Sequence, residues 1–579
     1  MTALLTDNLP LLAGAPNGIK KLRELILELA VRGKLVPQDP NDEPASELLK
    51  RIAEEKARLV AEGRIKKAKA THEGLVEISY ELPSTWAVAS LGQVVEIVRG
   101  ITFPASEKSK EPELGRVACL RTANVQDEIE WDDLLYIRES FVSRSDQYVE
   151  PHDIVMSMAN SRELVGKVAL IGAELKQKTT FGGFLGVLRP VLIEPRFVMA
   201  LLRTPHARSA LIDSASQTTN IANVSLGKLR PLPFAIPPLA EQHRIVAKVD
   251  ELMALCDRLE AQQADAESAH AQLVQSLLGS LTQAADAGDF AASWQRLAEH
   301  FHTLFTTESS IDALKQTLLQ LAVMGKLVPQ DPSDEPASEL LKRAKKKKKL
   351  IAEKWGYREK ILGVSAIGKR TAMPQGWELS ALGEFSFVKG GKRIPKGGDF
   401  SQVKTPYVYL RVTDMKESGV SLDGLRYIDE SLHNELARYT ISSMDVYVVI
   451  VGATIGKCGI IPLELDGAHL TENAAKIMFG ELLKQYLLIC IKSSYIQDQF
   501  MDKIFQQAQP KLALERIETT MVPIPPFAEQ HRIVAKVDQL MSLCDSLKAR
   551  LADAEKLNKQ LAAALVEQAV TLPSRPDKE

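Results

Sequence analysis

Apolar residues recur every three or four positions in two stretches of the chain, and each stretch ends at a glycine. The positions are Leu22, Leu25, Ile26 and Leu29 before Gly33, and Leu314, Leu318 and Leu321 before Gly325. Pro-Gln-Asp-Pro follows in both places and cannot continue a helix, while the next proline suits the first turn of a second one. The pattern predicts a helix–turn–helix unit at each place.

Two longer stretches keep an alternating spacing of four and three residues between apolar positions. They run through Ile245, Val249, Leu252, Cys256, Leu259, Ala266, Leu273 and Leu277, and through Ile533, Val537, Leu540, Cys544, Leu547, Leu551, Ala554, Leu561 and Leu565. We expect two long helices with coiled-coil seams, and an ordinary amphipathic helix on a globular core is the alternative. Cys256 and Cys544 occupy seam positions and are expected to be small core residues.

Between the helical stretches the pattern changes to short runs rich in Val, Ile and aromatic residues, separated by Gly, Pro and Asp. Such runs predict strands. They occur in two inserts whose landmark residues stay in register: Pro83, Trp86, Leu91, Gly92, Gly100, Leu120-Arg121 and Gly166-Lys167 against Pro374, Trp377, Leu382, Gly383, Gly391, Leu410-Arg411 and Gly456-Lys457. The two inserts are therefore predicted to share one mixed α/β fold while differing on their surfaces.

The chain also repeats its helical segments almost literally. KLVPQDPNDEPASELLKR at 34–51 returns with one difference at 326–343, and the thirty residues from 238 return from 526 with seven differences. The offsets, 326 − 34 = 292 and 526 − 238 = 288, nearly agree, so one unit occurs twice. We predict the α/β class, with two mixed α/β domains separated by long antiparallel helices in a pseudo-twofold repeat. The predicted segments are 1–78 (helical), 79–240 (first insert domain), 241–370 (central helical), 371–527 (second insert domain) and 528–579 (C-terminal helical).

Composition restricts the possible partners and locations. The 579 residues are too many for one hydrophobic core, and a net charge of −2 requires any nucleic-acid site to be a local patch. No apolar run reaches membrane-spanning length and no signal peptide is recognisable, so we expect a cytoplasmic protein that does not contact membranes. The five cysteines contain no C-x-x-C pair, which argues against a zinc knuckle and a disulfide framework.

Motifs for catalysis are missing or incomplete. The segment 452–457 resembles a P-loop but is one residue short, and Cys458 stands where Ser or Thr must bind magnesium. The Pro-Pro pairs at 237–238 and 525–526 lack the Asn or Asp with which an amino-methyltransferase grips its target amine. Gly182-Gly183-x-x-Gly186 is predicted to mark a bend between strands, and the five lysines at 345–349 a solvated helix end or linker. The chain is predicted to be non-catalytic.

Polar and basic residues collect at equivalent places in the two inserts. Arg, Asn and Gln can contact guanine or adenine edges through two hydrogen bonds, and Lys contacts phosphates. Each residue alone is compatible with ordinary surface, but the repetition favours DNA binding. The candidate DNA-binding residues are Arg99, Thr102, Lys108, Lys110, Asn160, Ser161, Arg162, Gln217, Thr218, Thr219 and Asn220 in the first insert, and Lys389, Lys392, Arg393, Lys396, Gln507, Gln509 and Lys511 in the second.

Both inserts open with Leu-Pro-x-x-Trp or Met-Pro-x-x-Trp and close in Pro-Pro-x-Ala-Glu-Gln-His-Arg-Ile-Val before a heptad helix. Over nearly the whole chain this arrangement resembles the specificity subunit of type I restriction-modification systems, in the branch with larger subunits. The resemblance implies that each insert is a target recognition domain reading one half of an asymmetric, bipartite DNA sequence. The helices would set the spacer between the halves and dock methyltransferase subunits.

The resemblance also implies the partners and cofactors. The partners would be double-stranded DNA, two methyltransferase subunits and two restriction or motor subunits. S-adenosylmethionine, ATP and magnesium would belong to those partner subunits, with no cofactor in this chain. The candidate partner-binding residues are Glu241, Gln242, His243, Arg244, Glu529, Gln530, His531 and Arg532.

A helix of about 35 residues spans roughly 50 Å, and a DNA turn measures about 34 to 36 Å. Domains mounted at the ends of such a helix would meet the duplex about one turn apart or somewhat more. Two other functions are compatible with the residues alone. A protein scaffold would show no DNA sequence preference even with its partners, and a self-contained methyltransferase or nuclease would be active as a single chain.

Overall fold

A computed structural model of the chain describes residues 12–66, 78, 80–214, 216–217, 222–358, 373–416, 419–501 and 511–571. The contacts divide it into two compact units. Unit 1 comprises residues 1–266 and 554–579, and unit 2 comprises residues 267–553. Within the described residues no helix combines the length and apolarity that crossing a membrane requires.

Unit 1 combines helices with sheets whose strands are mostly antiparallel. Its helices are α1 (Gly18–Val31), α2 (Ala45–Ala61), α3 (Leu91–Val94), α4 (Pro195–Arg203), α5 (Pro205–Ser214), α6 (Leu226–Leu229) and the first part of α7 (Leu239–Gln283). Its strands are β1 (Ala87–Ser90), β2 (Val95–Arg99), β3 (Arg116–Leu120), β4 (Leu135–Arg138), β5 (Ile154–Ser157), β6 (Ala159–Asn160), β7 (Val168–Leu170), β8 (Thr179–Phe181), β9 (Leu185–Pro190), β10 (Ser216–Gln217), β11 (Ala222–Asn223) and β12 (Pro233–Ile236).

The main sheet of unit 1 has the strand order β2-β9-β5-β7, and a second sheet has the order β4-β3-β8 with β3 and β8 parallel. Successive side chains of a strand point to opposite faces, so a strand buried on both faces joins two cores. In β5, Ile154 and Met156 belong to the core beneath the helices, and Val155 belongs to the core beneath the second sheet. The main sheet is therefore the shared wall of two hydrophobic cores.

Unit 2 repeats this plan. Its helices are α8 (Ala287–Glu299), α9 (Phe301–Leu304), α10 (Glu308–Val323), α11 (Ala337–Trp355), α12 (Leu382–Phe385), α13 (Glu430–Glu435), α14 (Lys484–Lys492), α15 (Ser494–Met501), α16 (Leu514–Glu518) and α17 (Phe527–Thr571), whose last part belongs to unit 1. Its strands are β13 (Glu378–Ala381), β14 (Ser386–Gly390), β15 (Val408–Leu410), β16 (Met415–Lys416), β17 (Gly419–Val420), β18 (Arg426–Tyr427), β19 (Thr440–Ile441), β20 (Val446–Val449), β21 (Cys458–Gly459), β22 (Ala468–Leu470), β23 (Ala474–Phe479) and β24 (Met521–Ile524).

The sheets of the two units correspond strand by strand. The order β14-β23-β20-β21 in unit 2 matches β2-β9-β5-β7 in unit 1, and β15 runs parallel to β22 as β3 does to β8. The predicted mixed α/β fold, its internal repeat and the long helices are confirmed. The predicted division between the helical segment 1–78 and the first insert does not separate compact units. Unit 1 includes both, because α1 and α4 pack together in one core.

The duplicated sequence builds the same buried cluster in each unit. In unit 1, Glu241 at the start of α7 accepts hydrogen bonds from Trp86 Nε1 at 3.1 Å and Gln38 Nε2 at 3.2 Å. Arg244, one turn later, pairs with Asp42 at 2.6 Å. The cluster ties the segment after α1, the start of the insert and the start of α7 to one another.

Unit 2 reproduces these contacts with the equivalent residues. Glu529 accepts from Trp377 Nε1 at 2.9 Å and from Gln330 Nε2 at 3.3 Å, and Arg532 pairs with Asp334 at 2.6 Å. Burial raises the pKa of both glutamates, and the hydrogen bonds from Trp and Gln oppose that effect. The repeated segments therefore supply the same buried polar contacts in both units.

The long helices α7 and α17 bury part of the predicted seam. Cys256 and Cys544 are buried, as predicted, but the predicted seam residues Ala266, Leu273, Ala554 and Leu561 are exposed, and for these four positions the prediction is wrong. Val274 and Ala562, which directly follow Leu273 and Leu561, are buried instead. Each lies 18 residues after its cysteine, which is five turns of a straight helix with 3.6 residues per turn. A heptad pattern drifts away from that face by about 20° in every seven residues.

Gly33 provides a prediction about the turn after α1. It has a φ of +67°, and an added Cβ would lie 2.6 Å from Pro83 Cγ and 3.2 Å from Trp86 Cζ2. Gly63, with a φ of +72°, has no atom within 4 Å of such a Cβ among the described residues. Gly63→Ala therefore carries only the left-handed strain of about 1–2 kcal/mol, and Gly33→Ala adds overpacking of about 1–3 kcal/mol.

Urea unfolding of the full chain measures both variants. The loss of unfolding free energy for Gly33→Ala should exceed that for Gly63→Ala. Gly325 and Gly356 form the equivalent pair in unit 2, with an added Cβ at Gly325 lying 2.5 Å from Pro374 Cγ. Equal losses within each pair would contradict the packing explanation.

Candidate nucleic-acid interface

A cavity of about 600 Å³ opens in unit 1 where β2 and β8 end and β9 begins. The predicted residues Arg99, Thr102 and Lys108 line it together. The pattern analysis missed further polar and aromatic lining residues, which are Phe103, Arg121, Thr122, Phe184, Asn223 and Ser225. The cavity thus combines cationic, amide, hydroxyl and aromatic side chains, the types that proteins use on phosphates and base edges.

The remaining predicted residues of the first insert lie outside the cavity lining. Lys110 is exposed in the loop before β3, and Ser161 and Arg162 are exposed after β6. Asn160 pairs with Ala222 across β6 and β11, and its Oδ1 accepts from the backbone N–H of Ser161 at 2.8 Å. Gln217 ends β10 of the same small sheet, and Thr218, Thr219 and Asn220 lie outside the described residues. Their predicted role stays a prediction.

Unit 2 has a corresponding cavity of about 460 Å³. Arg393 is the predicted residue that lines it, and the residues missed by the pattern analysis include Phe400, Tyr409, Arg411, Glu472 and Asn473. Arg393 Nε lies 2.6 Å from Glu472 Oε1, and the hydroxyl of Thr471 donates to Oε2 at 3.0 Å. Burial opposes ionisation of Glu472, but these hydrogen bonds outweigh it and lower the pKa of the carboxyl. The cavity therefore holds a carboxylate.

The other predicted residues of the second insert that the structure describes lie outside the lining of this cavity. Lys389 Nζ lies 4.4 Å from the centre of the Tyr357 ring, and Lys392 Nζ lies 5.9 Å from that of Tyr439. Lys396 is exposed, and Lys511 pairs with Val451 in a β-bridge. Gln507 and Gln509 lie outside the described residues.

Arg121 and Arg411 occupy equivalent places in the two cavities, after β3 and β15. Arg411 makes two hydrogen bonds to Asp414, at 3.1 and 2.6 Å. Unit 1 has Asn124 in place of that aspartate, and Arg121 instead donates to Asp133 at 2.6 Å. Among the described residues the buried Nε of Arg121 has no acceptor. The Leu-Arg landmark shared by the two inserts was the available signal for this pair.

The predicted partner-binding residues divide into buried and exposed ones. Glu241, Gln242, Glu529 and Gln530 are buried inside their units, where they bond to residues of the same unit, and their predicted partner binding stays a prediction. The Gln242 side chain accepts from the Glu194 backbone N–H at 2.9 Å and donates to the Pro237 carbonyl at 2.9 Å. Gln530 makes the equivalent contacts to Leu483 and Pro525.

The arginines and histidines of these segments lie at or near the surface. Arg244 and Arg532 are held by the ion pairs to Asp42 and Asp334. His243 Nδ1 lies 3.2 Å from Glu194 Oε2 with its side chain 60% exposed, and the His531 ring meets the edge of Phe527 at 5.0 Å. For these four residues partner binding stays a prediction.

The lysine run differs from its prediction as a solvated helix end or linker. Residues 345–349 lie in the interior of α11. Lys348 is buried and donates its ammonium to the Gly383 carbonyl, just as Lys56 of α2 donates to Gly92 and Val95. Lys345 pairs with Glu384 at 2.8 Å, and the other three lysines are exposed. Lys348 and Lys56 therefore make the same kind of contact in the two copies of the duplicated segment.

Comparisons with known proteins agree with the repeat. The family model described as the type I restriction modification DNA specificity domain matches residues 83–267 and again 374–556. The type I restriction enzyme EcoAI specificity subunit of Escherichia coli is 37% identical over 573 residues, covering 96% of this chain and 94% of that protein. The EcoEI specificity subunit of Escherichia coli is 34% identical over 580 residues, with the same coverage. A solved chain from a study of type I R-M complex assembly and conformational transition has 18% identity and a TM-score of 0.48, covering 85% of this chain and 99% of that one.

Proposed function

The chain belongs to the family of type I restriction-modification specificity subunits, and from that premise we propose that units 1 and 2 read the two halves of an asymmetric, interrupted DNA target. Its function is the recognition of DNA sequence within a type I restriction-modification complex, of which it is a non-catalytic component. Two unlike readers on one duplex imply two unlike half-sites, because each cavity presents its own donors and acceptors.

The observation that carries this proposal is the pair of equivalent cavities with different side chains. Unit 1 offers Arg99, Thr102 and Phe184. Unit 2 offers Arg393, Glu472 and Asn473. Each base pair presents a distinct pattern of donors, acceptors and methyl groups in the major groove, so different cavity side chains favour different bases. The predicted lysines of each insert would contact phosphates and position the duplex.

DNA and the methyltransferase and restriction subunits are the partners of a type I specificity subunit. We propose two copies of each enzyme subunit, with S-adenosylmethionine, ATP and magnesium bound by them. The long helices α7 and α17 would dock the methyltransferase subunits. Leu557 of α17 is 65% exposed and Leu273 of α7 is 52% exposed, and we propose that both belong to this docking surface.

An exchange of one insert tests the two-reader proposal. Residues 80–240 are replaced by the equivalent insert of a relative, and the chain is expressed in cells with its methyltransferase partner. Single-molecule methylation sequencing should show one half-site changed, with the other half-site and the spacer kept. The reciprocal exchange of residues 371–527 should change the other half-site. A methylated motif that survives the first exchange unaltered contradicts the proposal, and a chain acting as a protein scaffold gives that result.

A further inference from the structure

The turn between β8 and β9 in unit 1 has the same backbone frame as the turn between β22 and β23 in unit 2. In unit 1 the backbone N–H of Gly182 donates to Leu120, and that of Leu185 donates to Gly182, at 3.0 and 2.8 Å. In unit 2 the N–H of Thr471 donates to Leu410, and that of Ala474 donates to Thr471, each at 3.1 Å. Both turns are thus closed by equivalent hydrogen bonds.

Neighbouring strands hold the two turns in equivalent ways. The N–H of Gly100 donates to the carbonyl of Leu185, and in unit 2 the N–H of Gly391 donates to that of Ala474. The last residue of each turn also accepts equivalent bonds, since Met158 donates to Phe184 and Ile450 donates to Asn473, both at 2.8 Å.

Gly100 and Gly391 are required for this close approach. A Cβ at Gly100 would overlap the carbonyl oxygen of Gly182, and a Cβ at Gly391 would overlap those of Leu470 and Thr471. Any side chain there would push the turn out of its place. The repeated glycine landmark therefore maintains a fixed backbone frame at the same position in both cavities.

The three residues on this frame differ at every position between the two units. Unit 1 carries Gly-Gly-Phe at 182–184, and the Phe184 side chain is 64% exposed. Unit 2 carries Thr-Glu-Asn at 471–473. Glu472 is an ionised acceptor held by Arg393, and among the described residues the side-chain amide of Asn473 makes no hydrogen bond. A fixed frame with exchanged side chains is what a reader of variable sequence requires.

We propose that the turns 182–184 and 471–473 are specificity-determining elements, whose side chains select base pairs in the two half-sites. The inference rests on the proposed function and assigns part of its selectivity. Phe184 presents an apolar surface suited to the methyl group of thymine. Glu472 accepts from the N4 amine of cytosine, and Asn473 suits the N6 and N7 edge of adenine. The acidic and amide groups of unit 2 and the apolar group of unit 1 predict unlike base preferences.

The test measures base preference in the assembled methyltransferase complex. Complexes containing the wild-type chain or the variants Phe184→Asn, Glu472→Gln or Asn473→Ala methylate a DNA library with every base pair at each motif position. Sequencing gives relative methylation rates. Phe184→Asn should reduce the preference at one or two positions of one half-site by about tenfold or more, and Glu472→Gln and Asn473→Ala should do so in the other half-site. Leu114→Ala and Glu464→Gln, exposed residues outside the cavity linings, are the matched controls.

Two results overturn the proposal. The first is an unchanged set of relative rates at every motif position in the turn variants. The second is a uniform decrease that leaves base preference intact, because a merely structural role produces it. If Phe184→Asn abolishes methylation altogether, Phe184→Ala, which removes the apolar surface without adding a polar group, is judged by the same criteria together with the unit 2 variants.

The experiment also separates this inference from the proposed function. If exchanging residues 80–240 leaves the motif unchanged, the two-reader function itself fails. If the exchange alters one half-site while the turn variants keep every base preference, only the assignment to the turns fails.

Discussion

Replacing Trp86 with alanine should lower the free energy of unfolding of unit 1 by about 3–5 kcal/mol, the usual cost of truncating a buried aromatic residue. The Trp86 ring is 8% exposed and meets Phe197 edge-on at a centroid distance of 6.4 Å. Its Nε1 is one of two side-chain donors to the buried Glu241. The substitution therefore opens a void beside Gly33 and leaves a buried carboxylate with fewer donors.

Hydrogen exchange measured by mass spectrometry, combined with denaturant unfolding, locates the effect. Trp86→Ala should reduce the protection of backbone amides from exchange in unit 1, and the equivalent Trp377→Ala should reduce it in unit 2. Trp86→Phe keeps a packed ring but removes the N–H, so its cost should be smaller, about 1–3 kcal/mol. Trp294→Ala, which removes a 38% exposed ring stacked on Phe290, serves as the control. A loss for Trp86→Ala no larger than that of the control would disprove the importance of the duplicated cluster.

The helices could be predicted from the sequence because burial selects one face. Leu22, Leu25 and Leu29 in α1, and Leu314, Leu318 and Leu321 in α10, are all buried as their spacing predicts. The strands and their repetition could also be predicted from the sequence, since a strand with a buried face produces a short run of apolar residues. Leu273 and Leu561 were mispredicted because a heptad spacing drifts by about 20° in every seven residues away from the buried face of a straight helix.

The cavities were less accessible to sequence reasoning, because they bring together residues that are distant in the chain. Arg99 and Asn223 line the same cavity, and only the pairing of β6 with β11 places Asn223 there. The glycine cluster at 182–186 was predicted to mark a bend between strands, and Gly182 and Gly183 lie in the turn between β8 and β9 while Gly186 lies inside β9. The exposure of Phe184 in that turn depends on tertiary contacts that the sequence does not show. The polar start of α7 shows the converse, since Glu241 resembles a surface residue in the sequence but is buried in the fold, where Trp86 and Gln38 donate to it.

Lengthening the two long helices together should enlarge the unspecified spacer of the DNA target by one to two base pairs. Before residue 260, α7 contributes Ile245 and Cys256 to a core of unit 1, and after residue 269 it contributes Val274 to a core of unit 2. All residues of 260–269 are exposed, as are those of 552–561 in α17. One inserted turn adds about 6 Å to each helix without altering a core, compared with about 3.4 Å per base pair.

The experiment inserts four residues into each exposed stretch of the same chain and maps the methylated motif in cells with the methyltransferase partner. Both half-sites should stay as they are, because neither cavity is altered, and only the distance between them should grow. Seven-residue insertions, which return the following residues to within about 20° of their original face, should add about three base pairs. Replacing four exposed residues of each stretch by alanine without changing its length is the control. If the insertion variants still methylate a motif with the original spacer length, the length of α7 and α17 does not set the distance between the half-sites.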